Sequence, residues 1–308
     1  MDEVVLDPEY VEALAQFPPF QFNAELLPAM RANASVMAAP ELSDAVERTD
    51  HVVSDDPEVV VRVHRPRGID GTLPCVYSIH GGGYIFGSFT MDDARFDQWS
   101  PAMPCVGVSV EYRLAPETPY PGPLEDCYDG LRWTHEHAAE LGVDADRIGI
   151  AGVSAGGGLA AALALLARDR AEVPVAFQLL ECPMLDDRQQ SSSSRRDGLP
   201  VWSRESNTFG WTSYLGELYG SDDIPGTAVP ARADDLTGLP PAFVIAGGAD
   251  GFRDEDIEYA LRLSRAGVQT ELHVLPGAPH GVQLAPGSSV TRRWSALIDD
   301  WVRRQLHP

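Results

Sequence analysis

The sequence predicts an α/β fold built on a mostly parallel, doubly wound sheet. Three observations lead there. From about residue 58 onward, short β-rich apolar runs alternate with helical segments. Glycine-rich turns join some of those runs to the helices that follow them. Several runs are apolar on nearly every residue, as strands covered on both faces must be.

The chain has 308 residues, enough for one large α/β domain or a core with a modest cap. At 44 % apolar and 22 % charged residues, it can bury a sizeable core without a disulfide or structural metal. The 46 acidic and 23 basic residues give a formal net charge of −23. That charge repels phosphate backbones and anionic lipid, so nucleic acid and membrane surfaces are excluded as natural partners.

Taken in order, residues 1–50 read as helical, with Asp7 as N-cap and Pro8 at the first position of one helix. A second helical stretch covers AELLPAMRANASVMAA, and no strand is expected before residue 51. EVVVRVHRP (58–66) alternates like a half-buried strand. PCVYSIH (74–80) and PCVGVSVEY (104–112) read as central strands, followed by a helix over 123–141. RIGIAGV (147–153), a helix at 155–170 and VAFQLLECPML (175–185) continue the pattern. Residues 187–225 then break it with a serine run, paired arginines and an aromatic helical stretch. Such an insertion commonly forms a lid. Strand AFVIAGGAD (242–250), helix 254–267, strand TELHVLP (270–276) and a helix over 288–305 close the chain.

The strongest chemical signal is Gly152-Val153-Ser154-Ala155-Gly156, a GxSxG between an apolar strand and a small-residue helix. Serine at that turn stands exposed at the strand end, over a helix N-terminus that favours developing negative charge. The competing explanation is a glycine-rich helix-packing turn. Next is His80-Gly81-Gly82-Gly83-Tyr84, directly after a strand. Consecutive glycines let backbone N–H groups converge on one point, which an oxyanion hole requires. The expected donors are Gly82, Gly83 and Ala155. A phosphate-binding loop is the competing explanation, but no lysine or GxGxxG follows.

A serine nucleophile needs a base, and the base needs an orienting carboxylate. Of the histidines after Ser154, His307 sits at the chain end and His273 inside a strand. His280 lies in the Pro/Gly loop PGAPHG just past a strand, where an imidazole can reach the serine. Asp250 ends the preceding strand. Asp254, Glu255 and Asp256 compete with it, but acids at a helix start are explained by the helix dipole. Tyr84, Phe86, Trp202, Phe209 and Trp211 are candidates for the pocket wall; Trp202, Phe209, Trp211 and Tyr214 could equally be core of the insertion.

HGGGY (80–84), EYRLAPE (111–117), DRIGIAGVSAGG (146–157), GGADGFRDE (247–255) and PGAPHG (276–281), in that order, resemble the bacterial hormone-sensitive-lipase-like esterases of the α/β-hydrolase superfamily. The resemblance implies an eight-stranded sheet with strand two antiparallel. It also implies a helical cap made from residues 1–50 and 187–225, over a core of 51–186 and 226–308. It supports Ser154, Asp250 and His280 as triad, with Gly82, Gly83 and Ala155 as hole, and a homodimer through the last strand. Two departures stand out. Val153 occupies a position where the family often has Asp, and Asp250-Gly251-Phe252 replaces a frequent Asp-Pro-Leu.

The expected activity is hydrolysis of a small short- to medium-chain carboxylic ester, with no metal and no organic cofactor. A lactonase or amidase could use the same triad. A non-catalytic ligand-binding protein on this fold would be expected to lack a triad member. The N-terminus has no basic or apolar signal region and no run of about 18 apolar residues occurs, so a cytoplasmic protein without a membrane span is expected. Cys75, Cys105, Cys127 and Cys182 read as buried thiols, with a Cys75–Cys105 disulfide conceivable.

Overall fold

A computed structural model describes residues 4–15, 21–34 and 41–308. The ends of both expected N-terminal helices, at 16–17 and 35–39, lie outside the described residues. The described chain begins with α1 (Pro8–Leu14), which Asp7 caps by accepting from Glu9 N–H, and α2 (Leu27–Ala34). It continues through β1 (Val46–Asp55), β2 (Glu58–Pro66), β3 (Leu73–Ile79), α3 (Asp93–Ala102) and β4 (Val106–Glu111). Next come α4 (Gly122–Glu136), α5 (Ala138–Leu141), β5 (Val143–Val153), α6 (Ala155–Arg170) and β6 (Gln178–Glu181). The last elements are α7 (Arg204–Leu215), β7 (Ala242–Gly247), α8 (Arg253–Arg265), β8 (Thr270–Leu275) and α9 (Ser289–Leu306).

The strands form one eight-stranded sheet in the order β1-β2-β4-β3-β5-β6-β7-β8. β2 runs antiparallel to β1 and β4, and every other pairing is parallel. The α/β class and the antiparallel second strand are thus those expected. β3, β6 and β7 are buried at every residue, which matches the mostly apolar sequences of β3 and β7, whereas β6 buries Gln178 and Glu181 at its two ends. One buried layer packs α4, α6 and α8 on one face, and a second packs α3 and α9 on the other. α6 is nearly all buried, because its run of Gly and Ala lets it lie close under the sheet.

Two elements differ from expectation. β1 starts at Val46, so the strand crosses the expected boundary at residue 50. It is an edge strand with mostly polar, exposed residues, and it therefore shows little apolar signal. α3 had no counterpart in the sequence reading. The buried acids Asp92, at its N-cap position, and Asp93, in its first turn, open it and its last turn holds Pro101, so it lacks a clear amphipathic stripe. All four cysteines are buried and free; Cys75 and Cys105 are neighbours without a cross-link. Among the described residues, no helix is long and apolar enough to cross a membrane.

Parallel strands carry their following loops to one edge of the sheet. The C-terminal ends of β3, β5, β7 and β8 therefore deliver His80–Gly83, Ser154, Asp250 and His280 to that edge.

Candidate active site

Ser154 links β5 to α6 with φ 58° and ψ −121°, a conformation that L side chains seldom adopt. Surrounding bonds hold it there. Its N–H donates to Glu181 O (2.8 Å), and its carbonyl accepts from Gly158 N–H and Met184 N–H (both 2.9 Å). A Cβ on Gly152 would stand 2.1 Å from Gly156 O, so the turn closes only around glycine.

His280 lies on the loop after β8, with Nε2 2.9 Å from Ser154 Oγ. Its Nδ1 is 2.8 Å from Asp250 Oδ2. Asp250 Oδ1 accepts from Phe252 N–H at 3.0 Å. Both carboxylate oxygens are therefore committed, in a site where Asp250 is 2 % exposed. The Phe252 ring stands edge-on to the imidazole at 5.0 Å between centroids. Residue 252 thus supplies a backbone donor that any residue other than proline would give there, and the Asp-Gly-Phe departure adds an aromatic packing surface. A carboxylate that orients Nδ1 leaves Nε2 free to accept a proton from the hydroxyl.

The other candidates fall elsewhere. His273 pairs with Glu271 at 2.9 Å on β8, and His307 lies beyond α9. Asp254 accepts from Ser193 N–H (2.8 Å) and Glu255 from Leu185 N–H (2.9 Å). Asp256 is fully buried, neither of its oxygens has a hydrogen-bond partner among the described residues, and burial pushes its carboxyl well up. The helix dipole alone does not account for these acids, because Glu255 and Asp256 are buried.

The loop after β3 lies against the serine. A Cβ on Gly81 would stand 3.4 Å from Ser154 Cβ. Gly82 and Gly83 have φ of +118° and +62°. A Cβ on Gly82 would meet Phe86 O at 2.0 Å, and one on Gly83 the Trp202 ring at 2.1 Å. Only glycine fits either place. Ala155 opens α6, where first-turn N–H groups have no partner within the helix. His80 braces the loop: its Nδ1 donates to Gly81 O (2.8 Å), and its ring stacks on Tyr112 at 4.2 Å. Burial lowers the His80 pKa to about 4, so the ring is neutral and is not positioned as the base.

A cavity of about 420 Å³ opens over Ser154. Of the expected wall residues, Phe86 and Trp202 line it. Tyr84, Phe209 and Trp211 do not. Tyr84 points inward, donating to Met184 O (3.0 Å) and stacking on Tyr214 at 4.0 Å. Trp211 is fully buried beside Tyr84, and Phe209 packs on the same core. Wall residues that the sequence reading missed are Phe22, Val201, Asp92, Arg95, Glu181 and Trp294. Glu181 alone left a signal, as a charge inside the apolar run LLECP. Val153 also lines the cavity, where an Asp would add charge.

Cys182, Asp250 and His280 bring one sulfur, oxygen and nitrogen within 4.8 Å of one another. The set is a poor metal centre. Burial pushes the Cys182 thiol well up, and the Asp250 and His280 atoms already bond each other.

A sheet of this order with serine, histidine and aspartate at its C-terminal edge defines an α/β hydrolase. The chain belongs to that family: a family model described as the alpha/beta hydrolase fold matches residues 76–284, and the chain falls among its bacterial hormone-sensitive-lipase-like esterases. The carboxylesterase NlhH of Mycobacterium tuberculosis (strain ATCC 25618 / H37Rv) is 36 % identical over 282 residues, spanning 90 % of this chain and 88 % of that one. The solved structure of a bacterial heroin esterase superposes with a TM-score of 0.94 at 42 % identity, covering 99 % of both chains. Esterase LipW from Mycobacterium marinum gives 0.86 at 35 % identity, over 98 % of this chain and 96 % of that one.

Proposed function

We propose that this protein is a serine carboxylesterase that hydrolyses short- to medium-chain esters through an acyl-enzyme on Ser154. The carrying observation is the pair of hydrogen bonds on His280, 2.9 Å to Ser154 Oγ and 2.8 Å to Asp250 Oδ2. His280 Nε2 takes the hydroxyl proton as Oγ attacks the ester carbonyl. The N–H groups of Gly82, Gly83 and Ala155 receive the oxyanion, each contributing roughly 3–4 kcal/mol in a comparable site. Collapse expels the alcohol, protonated by His280. Water then attacks the acyl-enzyme, giving its proton to the same nitrogen. The resemblance to proteins named carboxylesterase and esterase supports this reading. A cavity of about 420 Å³ suits a small ester better than a long triglyceride.

In this reading, the described residues ahead of β1, together with residues 187–225, form the cap over the cavity. Phe22 N–H donates to Ser206 Oγ at 2.9 Å, and the Phe22 ring lies 5.3 Å from Trp202, which supports it. A dimer would pair the β8 edges, since β8 has one strand neighbour and Val274 is exposed. A reducing, cytoplasmic setting accords with four unpaired cysteines.

The test is turnover of a nitrophenyl-ester series of rising acyl length, with lactones and amides alongside, by wild type and Ser154→Ala. Turnover that peaks at short chains and vanishes in the variant supports the reading. Ser154-dependent turnover of lactones or amides alone moves the substrate class. No Ser154-dependent turnover overturns it in favour of a binding protein.

A further inference from the structure

Phe22 brings the segment ahead of β1 to the cavity wall. An earlier part of that segment bonds elsewhere. Asp7 and Tyr10 bond the loop that carries His280, and Glu9 bonds the first residue of α9 behind it.

His280 lies within residues 276–288, between β8 and α9. The stretch before it is fixed to the loop of Asp250. Leu275 O accepts from Gly248 N–H at 2.7 Å, and Ala278 O from Ala249 N–H at 2.9 Å. The stretch after it borders the cavity through Gly281, Val282 and Gln283. It makes short-range turns, such as Leu284 N–H to Gly281 O at 3.0 Å. A cluster of hydroxyls ties it to the rest of the fold. Tyr10 OH donates to Val282 O at 3.0 Å and lies 2.6 Å from Thr291 Oγ1. Thr291 Oγ1 lies 2.8 Å from both Ala285 O and Ser288 Oγ. One arrangement uses every hydroxyl proton: Tyr10 gives to Val282 O, Thr291 to Ala285 O and Ser288 to Thr291 Oγ1.

Tyr10 is fully buried, in the same apolar layer as Leu275, Ala278, Val282 and Ala285. Its neighbours on α1 hold the two ends of the loop. Asp7 N–H donates to Gly277 O at 3.0 Å. A Cβ on Gly277 would stand 2.5 Å from Asp7 N, so glycine lets the two backbones approach. Glu9 Oε2 accepts from Ser289 N–H at 2.7 Å and from Ser289 Oγ–H at 2.6 Å. α1 has seven residues, too few for a helix to be stable alone, so these bonds order the helix and the loop together.

We propose that Tyr10 is a positioning residue for the reaction: through it, α1 clamps the loop after β8 and keeps His280 Nε2 within reach of Ser154 Oγ. This deepens the ester-hydrolase reading and rests on it for the step that His280 performs. A base displaced by a fraction of an ångström loses much of its rate while the substrate still binds.

The test is Tyr10→Phe in the full chain, which keeps the buried ring and removes only the hydroxyl. With nitrophenyl acetate, kcat should fall about tenfold and KM should change less than about twofold. On a His280→Ala background the same change should alter the residual rate by less than about twofold, because the clamp acts through the imidazole. Proton NMR reads the loop without turnover: the His280 Nδ1–H held by Asp250 should exchange with water about fivefold faster in Tyr10→Phe. Glu9→Ala, on the exposed side of α1, should speed that exchange about twofold and serves if Tyr10→Phe does not fold. Unchanged kcat and unchanged exchange in the folded variants overturn the proposal. So does a loss of kcat that persists without His280, or one with normal exchange, since Tyr10 would then act on the fold at large. Wild-type turnover separates the two levels. If it is absent, ester hydrolysis has failed, and the exchange rates still decide whether Tyr10 holds the loop.

Discussion

Replacing Asp250 by Asn changes one atom, and the surrounding bonds set the consequence. Asp250 uses both oxygens as acceptors, one for His280 Nδ1–H at 2.8 Å and one for Phe252 N–H at 3.0 Å. Asn has a single acceptor oxygen. At 2 % exposure, water has no room to make up the loss. If the oxygen stays on Phe252 N–H, the amide NH2 faces Nδ1. Nδ1 must then accept, which places the ring proton on Nε2, facing Ser154 Oγ at 2.9 Å. A protonated Nε2 cannot take the hydroxyl proton. If the amide flips, Phe252 N–H faces another donor, costing roughly 1–3 kcal/mol of stability. The first arrangement should prevail, with kcat falling about 10⁴-fold. That is about 5 kcal/mol of transition-state stabilisation. The assay is steady-state nitrophenyl-ester hydrolysis, with thermal unfolding to show that the fold is intact. Asp254→Asn is the control and should change kcat less than about threefold. An Asp250→Asn enzyme that folds and keeps kcat within tenfold of wild type would refute the reasoning.

Two further outcomes follow from the loop after β3. Gly83→Ala would put a methyl 2.1 Å from the Trp202 ring, which Asn207 holds through a 3.1 Å bond from Nε1–H. The loop must move, and kcat should fall by about 10²–10³ with little change in KM. His80→Asn tests the brace by its pH dependence. The buried ring has a folded pKa of about 4, so as pH falls below about 6.5 the unfolded chain gains a proton that the folded chain refuses. Wild type should therefore lose roughly 2–3 kcal/mol more than the variant between pH 7.5 and 4.5, read by urea unfolding. Equal losses would show that His80 charges freely in the folded state.

The sheet was legible because central strands must be apolar on both faces and parallel strands need helical crossovers. β3, β5 and β7 announce themselves on those grounds. Ser154, Asp250 and His280 could be singled out for a related reason. Each lies on a loop just past a strand's C-terminal end, and strand order alone brings those loops together. What stayed hidden depended on packing. Tyr84 follows the glycine loop in sequence, yet φ 67° turns it into the core against Tyr214. Trp211 and Phe209 sit on a helix whose inward face sequence periodicity could not assign. Phe22, Val201 and the charges at Asp92, Arg95 and Glu181 reach the cavity from segments far apart in the chain. β1 was hidden by being a polar edge strand.

The central claim is that Ser154 forms the covalent intermediate. Wild-type protein would be treated with a nitrophenyl alkylphosphonate, whose phosphoryl group a serine nucleophile captures in place of an acyl group. Intact mass and peptide mapping then locate the adduct. The account predicts one adduct per chain on Ser154, formed in step with loss of esterase activity, and no adduct in Ser154→Ala. An adduct on another residue, or a Ser154→Ala protein keeping more than about 1 % of wild-type kcat, would contradict it.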